Sequence, residues 1–252
     1  MERNPITFSD ELVDKLRTAQ RVTVLTGAGI SAESGIPTFR DSQTGLWANY
    51  RPEELATPQA FQNDPLLVWE WYRWRMGLVR QAAPNAGHIA LAELETRVPA
   101  YSLITQNIDG LHQKAGSRNM IELHGNLFRA RCTRDGKKTI HWEDVPGAIP
   151  QCPECGALLR PDVIWFGESL PHLELQAALQ ASQDCDLFLS IGTSGVVEPA
   201  ASLPYEAIRG KGDVVEINPQ PTPLTVHARY YYAAPAGSAL PALLRAAWPH
   251  AD

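Results

Sequence analysis

Val22-Thr23-Val24-Leu25-Thr26 is apolar or β-branched at every position and runs directly into Gly27-Ala28-Gly29-Ile30-Ser31-Ala32. An uninterrupted run of this kind reads as a strand buried on both faces, the habit of parallel sheets. The six residues after it fit G-x-G-x-x-[G/A]. Glycines at those places permit a tight turn and close approach of the backbone to a pyrophosphate, with the following amides turned toward the anion. A plain strand-to-helix turn satisfies the same pattern. The strand does dictate its surroundings: helices must cover both faces, so strands and helices should alternate along the chain.

The rest of the chain follows that rhythm. Ser9 or Asp10 can cap a helix running to about residue 20, with Leu12, Leu16 and Ala19 on one face. Helices are predicted over 65–81 (begun by Pro65 after Asp64), 88–97, 172–183, 200–209 and 238–247. Strands are predicted over 101–105, 121–123, 186–192 and 213–218. Residues 126–160 carry clustered Cys, Gly and Pro without a sustained period and read as an inserted module, after which VIWF (163–166) restores the alternation. The expected fold class is α/β, a parallel sheet with helices on both faces, whose ligands sit at the carboxyl ends of the strands.

Composition narrows the partners. The 252 residues are 44% hydrophobic, enough to bury one domain or a major and a minor lobe. A net charge of -6 argues against a general nucleic-acid binder. No apolar run approaches the roughly 20 residues needed to cross a bilayer, and the N-terminal residues hold no signal-like segment, so a cytoplasmic protein is expected. Four cysteines in a chain of this length do not read as a disulfide framework, and Cys152-Pro153-Glu154-Cys155 suggests metal or redox chemistry.

Four predicted strand ends carry polar clusters: Gln106-Asn107-Ile108-Asp109, His124-Gly125, Thr193-Ser194 and Asn218. Together they favour a binding crevice along one sheet edge. His124 is the acid/base candidate, since an imidazole changes charge near neutral pH and Gly125 leaves room for a ligand beside it. His88 and His112 read as structural. An ordinary hydride-transfer site also needs an acid about 20 residues after the glycine turn, and residues 45–50 hold none. In its place stands Gly35-Ile36-Pro37-Thr38-Phe39-Arg40-Asp41, a stiff turn with an aromatic and a charged pair that could form a lid over a cofactor.

These segments resemble the sirtuin family of NAD-dependent protein-lysine deacylases. The matching residues are GAGIS (27–31), GIPTFRD (35–41), GLW (45–47), TQNIDGLHQKAG (105–116), ELHG (122–125), FGE (166–168), GTS (192–194) and EIN (216–218), in family order over nearly the whole chain. The resemblance implies a single catalytic domain. Its large Rossmann-like lobe would span about 9–45, 84–125 and 161–252. Its small lobe would comprise a zinc module at about 126–160 and a helical insertion at about 46–83. NAD and acyl-lysine would enter the cleft between lobes from opposite sides. Carried over residue by residue, Gly27, Ala28, Gly29, Ser31, Phe39, Arg40, Gln106, Asn107, Ile108, Asp109, His124, Gly192, Thr193, Ser194, Asn218 and Ala236 would line the NAD site. Val163, Ile164 and Phe166 would line the tunnel for the lysine stem, and His124, Asn107 and Asp109 would carry catalysis. In the implied chemistry NAD is consumed, His124 acts as general base on a ribose hydroxyl, and the products are free lysine, nicotinamide and O-acyl-ADP-ribose. The implied partners are NAD and acyl-lysine proteins, without nucleic acid or membrane, for a monomer. Mono-ADP-ribosyl transfer is a rival reading that would leave Tyr72 and Arg75 idle. A non-catalytic nucleotide- and zinc-binding interaction module is a third, against which His124, Asn107 and Asp109 together weigh.

The family's small lobe holds zinc with two Cys-x-x-Cys pairs. Here the second pair is intact as Cys152 and Cys155, while the first reads Cys132-Thr133-Arg134-Asp135. Three readings stand: zinc on three thiolates plus Asp135, zinc with His141 or water in the fourth place, or loss of the metal. Bound structural zinc is the expectation, because three thiolates would be an odd set to keep without it. Cys185, before a core strand, reads as a buried hydrophobe.

The stretch WEWYRWRM (69–76) mixes aromatic rings with two guanidiniums. Trp71 and Trp74 read as packing and Arg73 as a solvated face. Tyr72 and Arg75, three apart, share a helix face. A guanidinium fork can grip a carboxylate with two hydrogen bonds and a phenol can add a third. Within the family, a Tyr-x-x-Arg pair meets the distal carboxylate in the desuccinylase and demalonylase (class III) type found in bacteria. The resemblance therefore implies a preference for succinyl, malonyl or glutaryl lysine, with acetyl also accepted. The plainer reading has Arg75 reaching to water from a packed helix.

Overall fold

The computed structural model describes residues 6–37 and 51–249. Phe39 and Arg40, with the expected lid from residue 38 onward, and the GLW motif lie outside the described residues. The chain opens with α1 (Asp10–Thr18), β1 (Arg21–Thr26), α2 (Ala28–Ala32), α3 (Pro52–Leu55), α4 (Pro58–Asn63), α5 (Pro65–Gln81), α6 (Ala86–Arg97), β2 (Ala100–Thr105), α7 (Leu111–Ala115) and β3 (Met120–Glu122). It continues with β4 (Gly125–Cys132), β5 (Lys138–Thr139), β6 (Leu159–Val163), α8 (His172–Asp184), β7 (Leu187–Ile191), α9 (Leu203–Arg209), β8 (Asp213–Ile217), β9 (Tyr230–Tyr232) and α10 (Ala236–Ala247).

Six strands form one sheet in the order β3-β2-β1-β7-β8-β9, and every pairing is parallel. The chain works outward from β1 to β3, then returns to the other side of β1 and works outward again. The reversal falls between β1 and β7, where sheets of this class bind ligands. Alternate strand residues serve opposite faces. Val24, Leu103, Leu189 and Val215 pack with Leu12 and Leu16 of α1, Leu91 and Leu94 of α6, and Leu240 and Leu243 of α10. Leu25, Ile104, Phe188 and Val214 pack with Ala178 of α8 and Leu203 and Ala207 of α9. Both faces are thus covered, as β1 required. Ser9 caps α1 by accepting from the Leu12 amide, and Asp64 caps α5 by accepting from the Leu67 amide. Cys185 is buried as a hydrophobe.

A second, three-stranded sheet in the order β5-β4-β6 is antiparallel. It shares a separate hydrophobic cluster with α4 and α5, built on Phe61, Trp69, Trp71, Tyr72, Leu127, Leu159 and Trp165. Here the structure departs from expectation. The strand expected at 163–166 ends at Val163 and belongs to this sheet, and Gly125–Cys132, expected as irregular, is its longest strand. Charge and a proline hide both: Arg129 of β4 binds Asp162 of β6 at 2.5 Å, and Pro161 stands mid-strand in β6.

Arg73 is not a solvated residue. Its side chain is only 12% exposed. It donates to Glu70 at 2.7 Å, to Asp144 at 2.8 Å and to the Ala148 carbonyl at 2.7 Å. It fastens α5 to the loop preceding Cys152. Trp71 is fully buried, as expected of a packing residue. No helix among the described residues is long and apolar enough to cross a membrane.

Candidate active site

The glycine turn after β1 meets the end of β7 backbone to backbone. Gly29 N–H donates to the Gly192 carbonyl at 2.8 Å, and Gly27 N–H donates to the Ile191 carbonyl at 3.1 Å. A Cβ on Gly29 would stand 2.7 Å from Gly192 Cα, inside any tolerable contact. The glycine is therefore required first by this crossing of two chain segments at the sheet's reversal point. Gly27, Ala28, Gly29, Ser31, Gly192, Thr193 and Ser194 are brought together there. Asn218, at the end of β8, donates from Nδ2 to the Thr193 carbonyl at 3.1 Å. Ala236 opens α10, and the next amide, Gly237 N–H, donates to Glu33 at 2.7 Å.

On the β2 side the polar loop folds back onto the same turn. Asn107 Nδ2 donates to the Gly27 carbonyl at 3.0 Å and to Ser31 Oγ at 3.2 Å. Ser31 Oγ in turn donates to Asp109 Oδ2 at 2.7 Å. Asp109 Oδ1 accepts from the Leu111 amide at 2.9 Å, which ties the buried carboxylate to the start of α7. Ile108 gives its carbonyl to the Leu127 amide at 2.8 Å, linking this loop to the small sheet.

His124 follows β3 on the same edge. Its Nδ1 lies 3.0 Å from the Gln106 carbonyl. A carbonyl only accepts, so Nδ1 carries the proton and Nε2 is left as the basic nitrogen. Burial lowers the pKa of His124, opposed by the Gln106 hydrogen bond, so the neutral ring prevails at pH 7. Gly125 beside it does not leave room for a ligand. Its φ is +83°, and a Cβ there would collide with the Asp162 carbonyl at 2.0 Å; the space is taken by β6. The His124 carbonyl accepts from the Ile164 amide at 3.0 Å, which ties the histidine to the segment expected to line the lysine tunnel. In that segment Val163 is buried, Ile164 half-buried and Phe166 48% exposed.

Tyr72 and Arg75 lie on α5 against this same region. Tyr72 is buried, and its hydroxyl accepts from Trp165 Nε1 at 2.9 Å. Burial pushes the phenol up to about 12, against the lowering influence of Arg75 and Trp165, so it stays protonated. Arg75 stacks over Trp71 at 5.0 Å. Burial lowers its pKa, opposed by Tyr72 and by Asp109, and the residue is half-buried.

The sulfurs of Cys132, Cys152 and Cys155 all lie within 4.8 Å of one another, with Cys132 and Cys155 3.6 Å apart. Neither Asp135 nor His141 completes that group at the same range, and His141 is exposed. The turns around it nonetheless repeat. Gly136 N–H bonds to the Cys132 carbonyl as Gly156 N–H bonds to that of Cys152, and Cys132 N–H bonds to Lys137 O as Cys152 N–H bonds to Ala157 O. Asp135 thus occupies in the first turn the position of Cys155 in the second, and its Oδ1 accepts from the Lys137 amide at 3.0 Å. Three convergent thiols and a carboxylate are a donor set suited to tetrahedral zinc.

The Sir2 family profile matches residues 27–199. The chain belongs to the Sir2 family. This Sir2-family chain is 51% identical over 222 residues to the NAD-dependent protein deacylase 1 of Caldanaerobacter subterraneus subsp. tengcongensis, covering 88% of this chain and 91% of that one. It is 50% identical over 235 residues to the NAD-dependent protein deacylase of Pyrococcus furiosus, covering 91% and 94%. Among solved structures it matches a Sir2 homolog in complex with NAD with a TM-score of 0.89 and 46% identity, over 97% of this chain and 95% of that one.

In the Sir2-family site two side chains stand out that sequence reasoning left aside. His88, fully buried, places Nε2 3.4 Å from Ser31 Oγ and stacks 4.8 Å from His112. Trp165 joins α5 to the segment after β6. Val163 and Trp165 are buried while Ile164 and Phe166 are more open, so Trp165 faces a different neighbour from Phe166, and the uniformly apolar run VIWF gave no sign of it.

Proposed function

We propose that this chain is an NAD-dependent protein-lysine deacylase that prefers acyl groups ending in a carboxylate, succinyl, malonyl or glutaryl, and also accepts acetyl. On this reading the two sheets belong to two lobes of one catalytic domain, with the substrates between them. When bound, NAD supplies the ribose carbon from which nicotinamide leaves and the hydroxyl that receives the acyl group. The chain's residues do the rest. His124 Nε2 takes a proton from a ribose hydroxyl. Both amide hydrogens of Asn107 are engaged by Gly27 and Ser31, so its Oδ1 is the atom turned to ligand hydroxyls. Asn218 is oriented likewise by its bond to Thr193, which supports it in the role that an acid plays in ordinary dinucleotide sites. Asp109 anchors this loop through Ser31 and α7. Val163, Ile164 and Phe166 flank the lysine stem.

The single observation that carries the reading is the 3.0 Å contact of His124 Nδ1 with the Gln106 carbonyl, which assigns the proton to Nδ1. It leaves a neutral base at the strand end between the polar β2 loop and Ile164. The acyl preference is supported by Tyr72 and Arg75, a buried phenol and a permanently charged guanidinium one helical turn apart. Cys132, Cys152, Cys155 and Asp135 would hold a structural zinc that fixes the two turns of the small sheet. A zinc held by cysteines is in keeping with a reducing, cytoplasmic setting.

The test is mass spectrometry of a succinyl-lysine peptide incubated with and without NAD. NAD-dependent loss of the succinyl group, with O-succinyl-ADP-ribose formed, is expected, and His124→Ala should abolish it while the far-ultraviolet circular dichroism is retained. A peptide that gains ADP-ribose, or a His124→Ala variant with near-normal turnover, would overturn the assignment.

A further inference from the structure

A phenol at the end of an acyl pocket can donate or accept, and its hydrogen can rotate away from a ligand. Trp165 removes that freedom. An indole N–H only donates, and Trp165 Nε1 donates to Tyr72 Oη at 2.9 Å with both side chains buried. The bond occupies a lone pair of the phenol and turns its O–H away from the indole. The indole is itself held on every side. Phe61 packs 5.3 Å from it. The Arg160 guanidinium stacks 3.3 Å over its ring. Arg160 is held by Glu168 at 2.6 and 2.9 Å, and Glu168 also accepts the backbone N–H of Trp165 at 2.8 Å. An ion pair and a stacked ring thus fix one N–H against one hydroxyl, a heavy framework for a residue that only filled space.

We propose that Trp165 is a positioning residue for acyl specificity, its indole N–H holding the Tyr72 hydroxyl as a donor to the distal carboxylate of an acidic acyl-lysine. The proposal rests on the acidic-acyl reading above. Acetyl-lysine has no such carboxylate and gains nothing from the arrangement, so the effect belongs to the ratio between substrates and to KM.

The test compares wild type, Trp165→Phe, Tyr72→Phe and the double variant on succinyl- and acetyl-lysine forms of one peptide. Phenylalanine keeps an aromatic ring between Phe61 and Arg160 and removes the donor together with part of the indole's volume, a loss felt by both substrates that cancels in their ratio; Trp165→Met, also without the N–H, substitutes if the first variant fails to fold. In Trp165→Phe the succinyl-to-acetyl ratio of kcat/KM should fall about three- to tenfold, the range for a single neutral hydrogen bond, chiefly through a higher KM for the succinyl peptide. The double variant should be no more impaired in that ratio than Tyr72→Phe, because Trp165 acts through the hydroxyl already lost. An unchanged ratio in Trp165→Phe, equal losses on both substrates, or additive losses in the double variant would overturn the role of Trp165 while leaving the wild-type preference standing. A wild type without any succinyl preference would overturn the acyl reading and this proposal together.

Discussion

Replacing Arg75 by methionine removes the guanidinium and keeps most of the stem that lies over Trp71. Arg75 is half-buried against Trp71 and one helical turn from Tyr72, so a carboxylate reaching it meets a charge only partly screened by water. A hydrogen bond to a charged group is worth about 1.5–3 kcal/mol. At about 1.4 kcal/mol per factor of ten, that is roughly a 10- to 150-fold loss. The Coulomb attraction at about 4 Å with an effective dielectric of about 20 is about 4 kcal/mol, which bounds the effect from above. The assay is kcat/KM at neutral pH on succinyl- and acetyl-lysine versions of one peptide, with both rates measured on the same folded preparation. Loss of the stacking on Trp71 lowers stability by about 1–2 kcal/mol, and this cancels in the ratio. The succinyl rate should fall by one to two orders of magnitude, and the acetyl rate far less. Equal loss on both substrates would refute the pairing of Arg75 with an acyl carboxylate.

Metal content tests Asp135. Purified protein should carry close to one zinc per chain, Asp135→Ala should release it at lower chelator concentration, and Asp135→Cys should hold it more tightly, all read by elemental analysis during chelator titration. Burial, reinforced by His88, pushes His112 down to about 3 from an ordinary 6.5. Between those values the unfolded chain binds a proton that the folded chain refuses, so stability is full above about 6.5 and is lost as pH falls toward 3. Urea midpoints should therefore drop less on acidification in His112→Leu than in wild type, even though the variant starts lower. His124 is lowered in the same direction, so the acid limb of kcat/KM should lie below the ordinary histidine value of 6.5. A limb above that value would contradict the buried neutral base. Gly29→Ala forces backbone movement at the crossing with Gly192 and should lower the unfolding free energy by about 1–3 kcal/mol in urea titration.

The strands buried on both faces were legible because burial keeps them mostly apolar or β-branched: β1, β2, β7 and β8 lie within about two residues of the runs that announced them. The small sheet was not, because its strands spend charge on each other. Arg129 and Asp162, or Arg131 and Glu168, read as loop residues until β4 and β6 are laid side by side. The bulge between Asn126 and Ala130 also breaks the two-residue period that would have marked β4. The site shows the same division. Asn107, Asp109, His124, Thr193 and Asn218 were legible as polar residues closing apolar strands. Trp165 was not, since its partner Tyr72 is 93 residues away and neither residue alone departs from ordinary core composition. Gly125 was misread as leaving room for a ligand, because only the pairing with β6 shows that another backbone fills the space.

Tyr72 and Arg75 ride on one stretch of a single 17-residue helix. Three residues at about 1.5 Å each set their offset along the axis, and no repacking around α5 alters it. Their distance from His124 is another matter, since it passes through Trp69 and its bond to Leu159, through Trp165, and through Arg73 and its hold on Asp144. The helix is in effect a ruler whose end mark is fixed and whose zero is adjustable. Substitutions that seat α5 nearer to or farther from β6 should change which chain length of diacid is accepted, while the demand for a terminal carboxylate persists.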